Sequence, residues 1–262
     1  EFEKITDFVA IKDLIRSFCN SQTGKKLGEQ YIFHTNIEQI KLLHKPIQET
    51  VHILENGTNL PYIEFVDNRD DINLLRTSGW VLDADNLYEL LLVFDTLFRL
   101  KQFVHKQQLT ESSAIKQIID EVPYYSDIHK EIKQIFDSKG NISDNASKDL
   151  NKIRQTIKQK LKEIDKRASL IFKQLKAQEI LESSASITIR SGRNVIPVPA
   201  SAKYQVKGII HDESATGQTV YIEPLEIVEM NNQLKETEAA EKREIRKILT
   251  NISSLLHPII DD

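Results

Sequence analysis

Ile187-Thr188-Ile189-Arg190-Ser191-Gly192-Arg193-Asn194-Val195-Ile196-Pro197-Val198 decides the fold of this 262-residue chain. It is read together with Lys207-Gly208-Ile209-Ile210-His211-Asp212-Glu213-Ser214-Ala215-Thr216-Gly217-Gln218-Thr219-Val220-Tyr221-Ile222-Glu223-Pro224. Here the period is two, as in strands whose side chains alternate between faces. Strands are expected at 186–189, 194–197, 206–210 and 218–222. Ser191-Gly192-Arg193 and Ser214-Ala215-Thr216-Gly217 supply the turns. Pro197 and Pro199 donate no ladder hydrogen bond, so their strand should lie at an edge or stop there.

On both sides the period changes to that of a helix. Upstream, Leu150, Ile153, Ile157, Leu161, Ile164, Ala168, Ile171 and Leu175 alternate spacings of three and four with no Gly or Pro, a seam of coiled-coil type. A helix over 147–183 would be about 54 Å long, too long for a compact core. Downstream, Pro224 suits a first helical position, and Ile227, Met230 and Leu234, then Ile245, Ile248, Ile252 and Leu255, resume the seam up to His257-Pro258. Between them Thr237 to Glu244 is weakly apolar. A long helix out, a small sheet and a long helix back predict an antiparallel arm with a β tip.

Residues 1–140 read as shorter helices. Ile5, Phe8, Ile11, Ile15 and Phe18 form one stripe that should be buried. Ile37-Ile40-Leu43 precedes Pro46 and Ile47-Val51-Leu54 follows it, which predicts a break at the proline. Leu87, Leu90, Leu91, Phe94, Leu97 and Phe98 follow Asp83 or Asp85 as a cap. Helices are also expected over 111–120 and 125–136, and Ser138-Lys139-Gly140-Asn141 ends the pattern. The expected fold class is therefore mainly α. A multi-helical core spans 1–140, an outgoing lever helix 141–184, a small antiparallel β tip 185–224 and a returning helix 225–262.

Composition narrows the function. With 40% hydrophobic residues the chain can build a core, and with 35 Lys and Arg against 39 Asp and Glu it lacks the global positive field of a generic nucleic-acid binder. Cys19 is the only cysteine, which excludes an internal disulfide and Cys-pair zinc patterns and suits a reducing cytoplasm. No apolar run approaches the roughly 18 residues of a membrane span, so no membrane partner is expected. Glu1 in place of Met reads as a trimmed chain.

The block at 187–198, continued by 207–224, Val228-Glu229-Met230-Asn231-Asn232-Gln233-Leu234 and Glu241-Lys242-Arg243-Glu244-Ile245, closely resembles the bacterial type 2 branch of the MutS family. Asp144-Asn145-Ala146-Ser147-Lys148-Asp149-Leu150 resembles the start of that family's lever helix, with Lys148 where a proline is usual. Phe2-Glu3-Lys4-Ile5 resembles its opening helix, and Gly79-Trp80-Val81-Leu82 a junction in its core. The resemblance implies a MutS-like core, lever and clamp that precede a P-loop ATPase, in many members followed by a small Smr nuclease domain. It implies a parent that uses ATP and Mg, dimerises through its ATPase domain and handles DNA in mismatch repair or recombination control. Structured RNA on a ribosome is the second partner class. Within 1–262 it implies no cofactor and no catalytic chemistry.

The residues themselves agree that catalytic motifs are missing from this stretch. Thr23-Gly24-Lys25-Lys26 mimics a P-loop only superficially, with Cys19 at the first Gly position and Lys26 where Ser or Thr must hold magnesium. His211-Asp212-Glu213 reads as a solvated turn, because successive side chains diverge and do not converge on one metal ion. The remaining histidines, 34, 44, 52, 105, 129 and 257, have no metal-ligand spacing and read mostly as surface residues. Cys19 and Trp80 read as buried packing residues.

Charge distribution carries more information. Residues 147–182 hold ten Lys and Arg against five Asp and Glu, which reads as a solvated coiled-coil face first, with phosphate contact as the alternative. At the tip, Arg190, Arg193, Lys203 and Lys207 read either as such a face or as phosphate contacts, whose binding would be salt-sensitive and largely independent of sequence. The acidic residues Glu223, Glu226, Glu229, Glu236, Glu238, Glu241 and Glu244 are expected on the returning helix, paired with the basic outgoing one. A structural arm for protein or ribosome contact is the alternative function.

Overall fold

The computed structural model describes residues 5–28, 33–63 and 67–261. Phe2-Glu3-Lys4, part of the expected opening helix, lies outside them. The chain is mainly α with one small antiparallel sheet, and it divides into two compact units, 1–143 with 249–262, and 144–248.

The first unit contains α1 (Phe8–Phe18), α2 (Gln22–Leu27), α3 (Ile37–Glu55), α4 (Arg69–Leu74), α5 (Ala84–Lys106), α6 (Ala114–Asp120) and α7 (Ser126–Ile135). Side chains that accept hydrogen bonds from otherwise orphaned amides set several starts: Asn36 for α3, Asp83 for α5 and Ser113 for α6. α6 begins at Ala114, later than the 111 expected, because Ser113 is its cap. Glu49 of α3 reinforces that start. Its carboxylate accepts from the Ser113 hydroxyl at 2.8 Å and from the amides of Ala114 and Ile115 at 3.0 Å each. Burial pushes the Glu49 carboxyl up, but these bonds and Lys45 outweigh that and hold it below its ordinary 4.5.

α5 supplies the centre of this unit through Leu87, Leu90, Leu91, Phe94, Phe103 and Val104, packed against α6 and α7. Leu82 is also buried, and its amide donates to Ser253 Oγ at 3.1 Å. Four expectations fail here. α3 runs through Pro46 unbroken, since the stripe from Ile40 to Leu54 keeps one helical register across it. Trp80 is 47% exposed, because the left-handed Gly79 turns the chain so that Leu82 takes the interior position. The stripe of α1 is helical but open, with Ile5 80% and Phe18 77% exposed; periodicity fixes a helix face without supplying its cover. Cys19 is half-buried, not buried, with its thiol on the Ile15 carbonyl at 3.4 Å.

Most of the histidines read as surface residues lie there, and His129 is the buried exception. Its Nε2 lies 2.9 Å from Asp95 and its Nδ1 2.7 Å from the Tyr124 hydroxyl, while Phe94 stacks on the ring. Lys133 completes the cluster at 2.7 Å from Asp95.

The second unit starts with α8 (Lys148–Ala177). At 30 residues it is about 45 Å long, shorter than expected. Glu179 adopts the left-handed conformation, with Glu179 N donating to Lys176 O and Ile180 N to Leu175 O, the two bonds of a Schellman stop. The strands are β1 (Thr188–Arg190), β2 (Arg193–Pro199), β3 (Gly208–Glu213) and β4 (Thr219–Pro224), in the order β1-β2-β4-β3, with a 3-10 turn over Ala200–Gln205. β2 is thus interior, contrary to the edge position its prolines suggested. β1 pairs only with residues 193–195, however, so Pro197 and Pro199 lie past its end, and β2 stops at Pro199.

α9 (Leu225–Leu256) follows β4 directly, and its residues from Leu249 on belong to the first unit. Within the second unit, α8 and α9 run antiparallel. Ser147 donates to Glu244, Arg154 to Glu241, Lys160 to the Gln233 carbonyl, and Arg167 pairs with Glu226, so residue numbers rise on one helix as they fall on the other. Apolar packing is concentrated towards the sheet, where Ala168, Ile171 and Leu175 meet Ile196, Val198, Val220, Ile222 and Ile227. Midway along α8, Leu161 is 43% exposed.

Candidate nucleic-acid interface

Strand alternation sorts the basic residues of the sheet. Ile196 pairs with Ile222 and Val198 with Val220 on the core face. Pro197 with Tyr221, Pro199 with Thr219 and Arg190 with Arg193 therefore belong to the other face. Arg190 and Arg193 flank a two-residue loop, Ser191 at φ 51 and Gly192 at φ 71. Two positive angles in succession give a hairpin turn that matches strand twist.

The two arginines have different surroundings. The Arg193 side chain is only 14% exposed; its Nη1 donates to Glu223 at 2.8 and 3.0 Å and its Nη2 to Asn232 at 2.7 Å. Glu223 itself is fully buried and also receives Asn231 Nδ2 at 2.7 Å and His211 Nε2 at 2.5 Å. Burial pushes this carboxyl up, but the bonds from Asn231, Arg193 and His211 and the Arg193 charge prevail and hold it below its ordinary 4.5. Glu223 thus sits at the end of β4 as the hub of a buried network, not on the returning helix as an exposed acid. His211-Asp212-Glu213 forms part of strand β3, not a turn, with a bulge between Ile210 and Asp212 that accompanies His211 facing Glu223.

Arg190 remains more accessible, with its side chain 38% exposed. Its guanidinium lies 4.4 Å from the centre of the Tyr221 ring, its Nε is 3.3 Å from Asp212, and its Nη1 donates to the Ile189 carbonyl. Lys203 sits in the 3-10 turn with Nζ 5.2 Å from the Tyr204 ring centre, and Lys207 is exposed just before β3. Tyr204, 88% exposed, escaped notice in the sequence, although a tyrosine directly after a lysine in the basic tip was a usable signal. Arg190, Lys203 and Lys207 thus present cations outward, whereas Arg193 is committed inward. Among the described residues no three His, Cys, Asp or Glu side chains gather as a metal site. Nor is any helix among them long and apolar enough to cross a membrane.

No family model matches the chain. Curated relatives do, along nearly all of it. "Endonuclease MutS2" of Finegoldia magna is 30% identical over 97% of this chain and 32% of its own length. The proteins of the same name from Halalkalibacterium halodurans and Clostridioides difficile are 29% and 28% identical, each over 99% of the chain and 33% of their length. The chain is similar to MutS2. It spans about a third of the length of the curated MutS2 proteins it matches. The residues read as MutS type 2 in the sequence belong to this MutS2-like stretch, including Arg193, His211, Glu223, Asn231 and Asn232, which meet in the buried network. Much of that MutS2-like block therefore serves to hold the sheet on the first turns of α9.

Proposed function

We propose that this chain is a non-catalytic lever and clamp segment of a MutS-like ATPase, with α8 and α9 as an antiparallel coiled-coil lever and the sheet as the tip that engages DNA. The observation that carries the reading is the outward set Arg190, Lys203 and Lys207 on a sheet held rigidly on two long paired helices, in a chain whose relatives are named Endonuclease MutS2. Cations on a rigid mount hold a phosphate backbone without reading its sequence. Two ion-paired helices can carry a displacement at the tip to a distant domain, where ATP and Mg would act in the parent; engagement and nucleotide affinity would then be reciprocally linked. Endonuclease activity, dimerisation and a role in mismatch repair or recombination control would belong to that parent, in the cytoplasm. Arg193 leaves the contact set in this proposal, since its guanidinium is used by Glu223 and Asn232.

The test is binding of the chain to labelled duplex and branched DNA across a salt series. Affinity should fall steeply with salt, and Lys203→Glu with Lys207→Glu should weaken it on every DNA and flatten the salt slope by about two, one per lost phosphate contact. Salt-independent binding, or no effect of the charge reversal, overturns the assignment.

A second reading, a structural arm for protein or ribosome contact, is favoured by Ile189, 64% exposed, with Ile209 and Ile210, each 45% exposed, on the two edge strands. Self-association through these edges in sedimentation, abolished by Ile209→Lys, would support it over the DNA reading.

A further inference from the structure

Beside Arg190 the outer face of the sheet carries a hollow of about 330 Å³, within the range of roughly 300 to 1,000 Å³ typical of small-molecule sites. Its floor contains Pro197, Pro199 and Tyr221, and the segment 182–186 forms a wall. Ser184, Ser186, Thr188 and Thr219 add hydroxyl-bearing side chains, and Glu182 adds a carboxylate. All these residues lie in the second unit.

Three features suit one kind of guest. A guanidinium resting on an aromatic ring is a flat, cationic platform, and nucleobases stack on such planes. Among the described residues no acceptor takes Arg190 Nη2, so that donor remains for a guest. Finally, the carboxylates here, Glu182 in the lining and Asp212 beside Arg190, repel a phosphate but accept hydrogen bonds from an exocyclic amino group, as acidic side chains do from the N4 of cytosine. An anion-only site would not carry them. A duplex base pair cannot enter, since its base edges are already paired and stacked.

We infer that this hollow receives one unpaired nucleotide of a DNA strand, its base stacked on the Arg190–Tyr221 pair, with cytosine or adenine preferred over thymine. The inference rests on the proposed DNA-binding tip and adds a structure preference to it: Lys203 and Lys207 hold the backbone of any DNA, while the hollow selects DNA with an extruded or flap nucleotide. No bond is made or broken.

The experiment compares, by fluorescence anisotropy with the full chain, a blunt 20-base-pair hairpin with the same hairpin carrying a three-nucleotide flap of dC or of dT. The dC flap should bind on the order of tenfold tighter than the blunt hairpin, as one added stacked base warrants, and tighter than the dT flap. Arg190→Ala should remove the gain of the flap, so that flapped and blunt hairpins bind alike, with all of them weakened by the loss of one cation. Glu182→Ala, an exposed change that does not threaten folding, removes that acceptor and should lessen the preference for dC over dT. Equal affinity for all three DNAs, with salt-dependent binding retained, overturns the hollow and leaves the clamp reading intact. Binding of none of them overturns both.

Discussion

Replacing Arg193 by Met separates a structural from a nucleic-acid role most sharply. The substitution keeps bulk but leaves Glu223, with no exposed surface, facing only Asn231 and His211. Removing one partner of a buried pair costs about 3 to 5 kcal/mol, because the remaining charge stays desolvated. The bonds from Asn231 and His211 to Glu223 remain, so the low end, about 3 kcal/mol, is the expected loss. With a urea slope of about 2 kcal/mol per molar, the midpoint for the unit containing the sheet should fall by roughly 1.5 M. Hydrogen exchange of the β2 and β4 amides reports that unit specifically. Adding Glu223→Gln removes the stranded charge yet retains an acceptor for Asn231, so the double variant should recover at least half of the loss. DNA affinity, measured well below the midpoint, should change little. A loss of DNA binding at unchanged stability would refute the structural assignment, as would a double variant no more stable than Arg193→Met alone.

Gly208→Ala should destabilise the sheet by more than 2 kcal/mol in urea melts, because a Cβ there would lie 2.3 Å from the Glu223 carbonyl oxygen and 2.5 Å from Ile222 Cγ2, and backbone cannot yield as a side chain can. Glu179→Gly should raise stability by about 1 kcal/mol, read as a higher thermal midpoint, since glycine removes the strain of a left-handed residue at the α8 stop. Acid should loosen the second unit. The carboxyl of Glu223 is held below its unfolded value of 4.5, so its contribution is present above that pH and is lost as pH falls through the lower folded value. Asp144, held below 3.8 by hydrogen bonds from Arg154 and Lys158, adds to the loss further down. In an acid titration of the β2 and β4 amides, Glu223→Gln should flatten the slope below about pH 4.5.

Periodicity revealed the elements because burial on one side imposes it, and it failed where burial was not the cause. The strands of the tip and the two long helices could be read from the sequence because their apolar residues converge on one core of the second unit. The end of α8 could not, because it is set by one residue, Glu179, whose left-handed backbone has no apolar signature. Pro46 misled for the opposite reason: a proline cancels one helical hydrogen bond, but a stripe continuing in register on both sides can still favour a single helix. Trp80 and the α1 stripe misled because hydrophobicity says that a residue could be buried, not that a neighbour is there to bury it.

The basic tip shows where a single sequence runs out for site residues. Arg190 and Arg193 are the same residue type, paired across one hairpin and facing the same way, so no local property separates them. The difference is made thirty positions away. Glu223 enters β4 opposite β2 and captures Arg193, with Asn231 and Asn232 on the first turns of α9 closing around the pair. Arg190, one strand further out, meets the Tyr221 ring and the edge acid Asp212, which hold it without burying it. An acid that looked like one more glutamate of a charged helix therefore decides which arginine is structural and which can meet a ligand. The same logic explains why His211 faces inward: the bulge that disturbs β3 at that residue accompanies a donor aimed at the one carboxylate in the sheet that water does not reach.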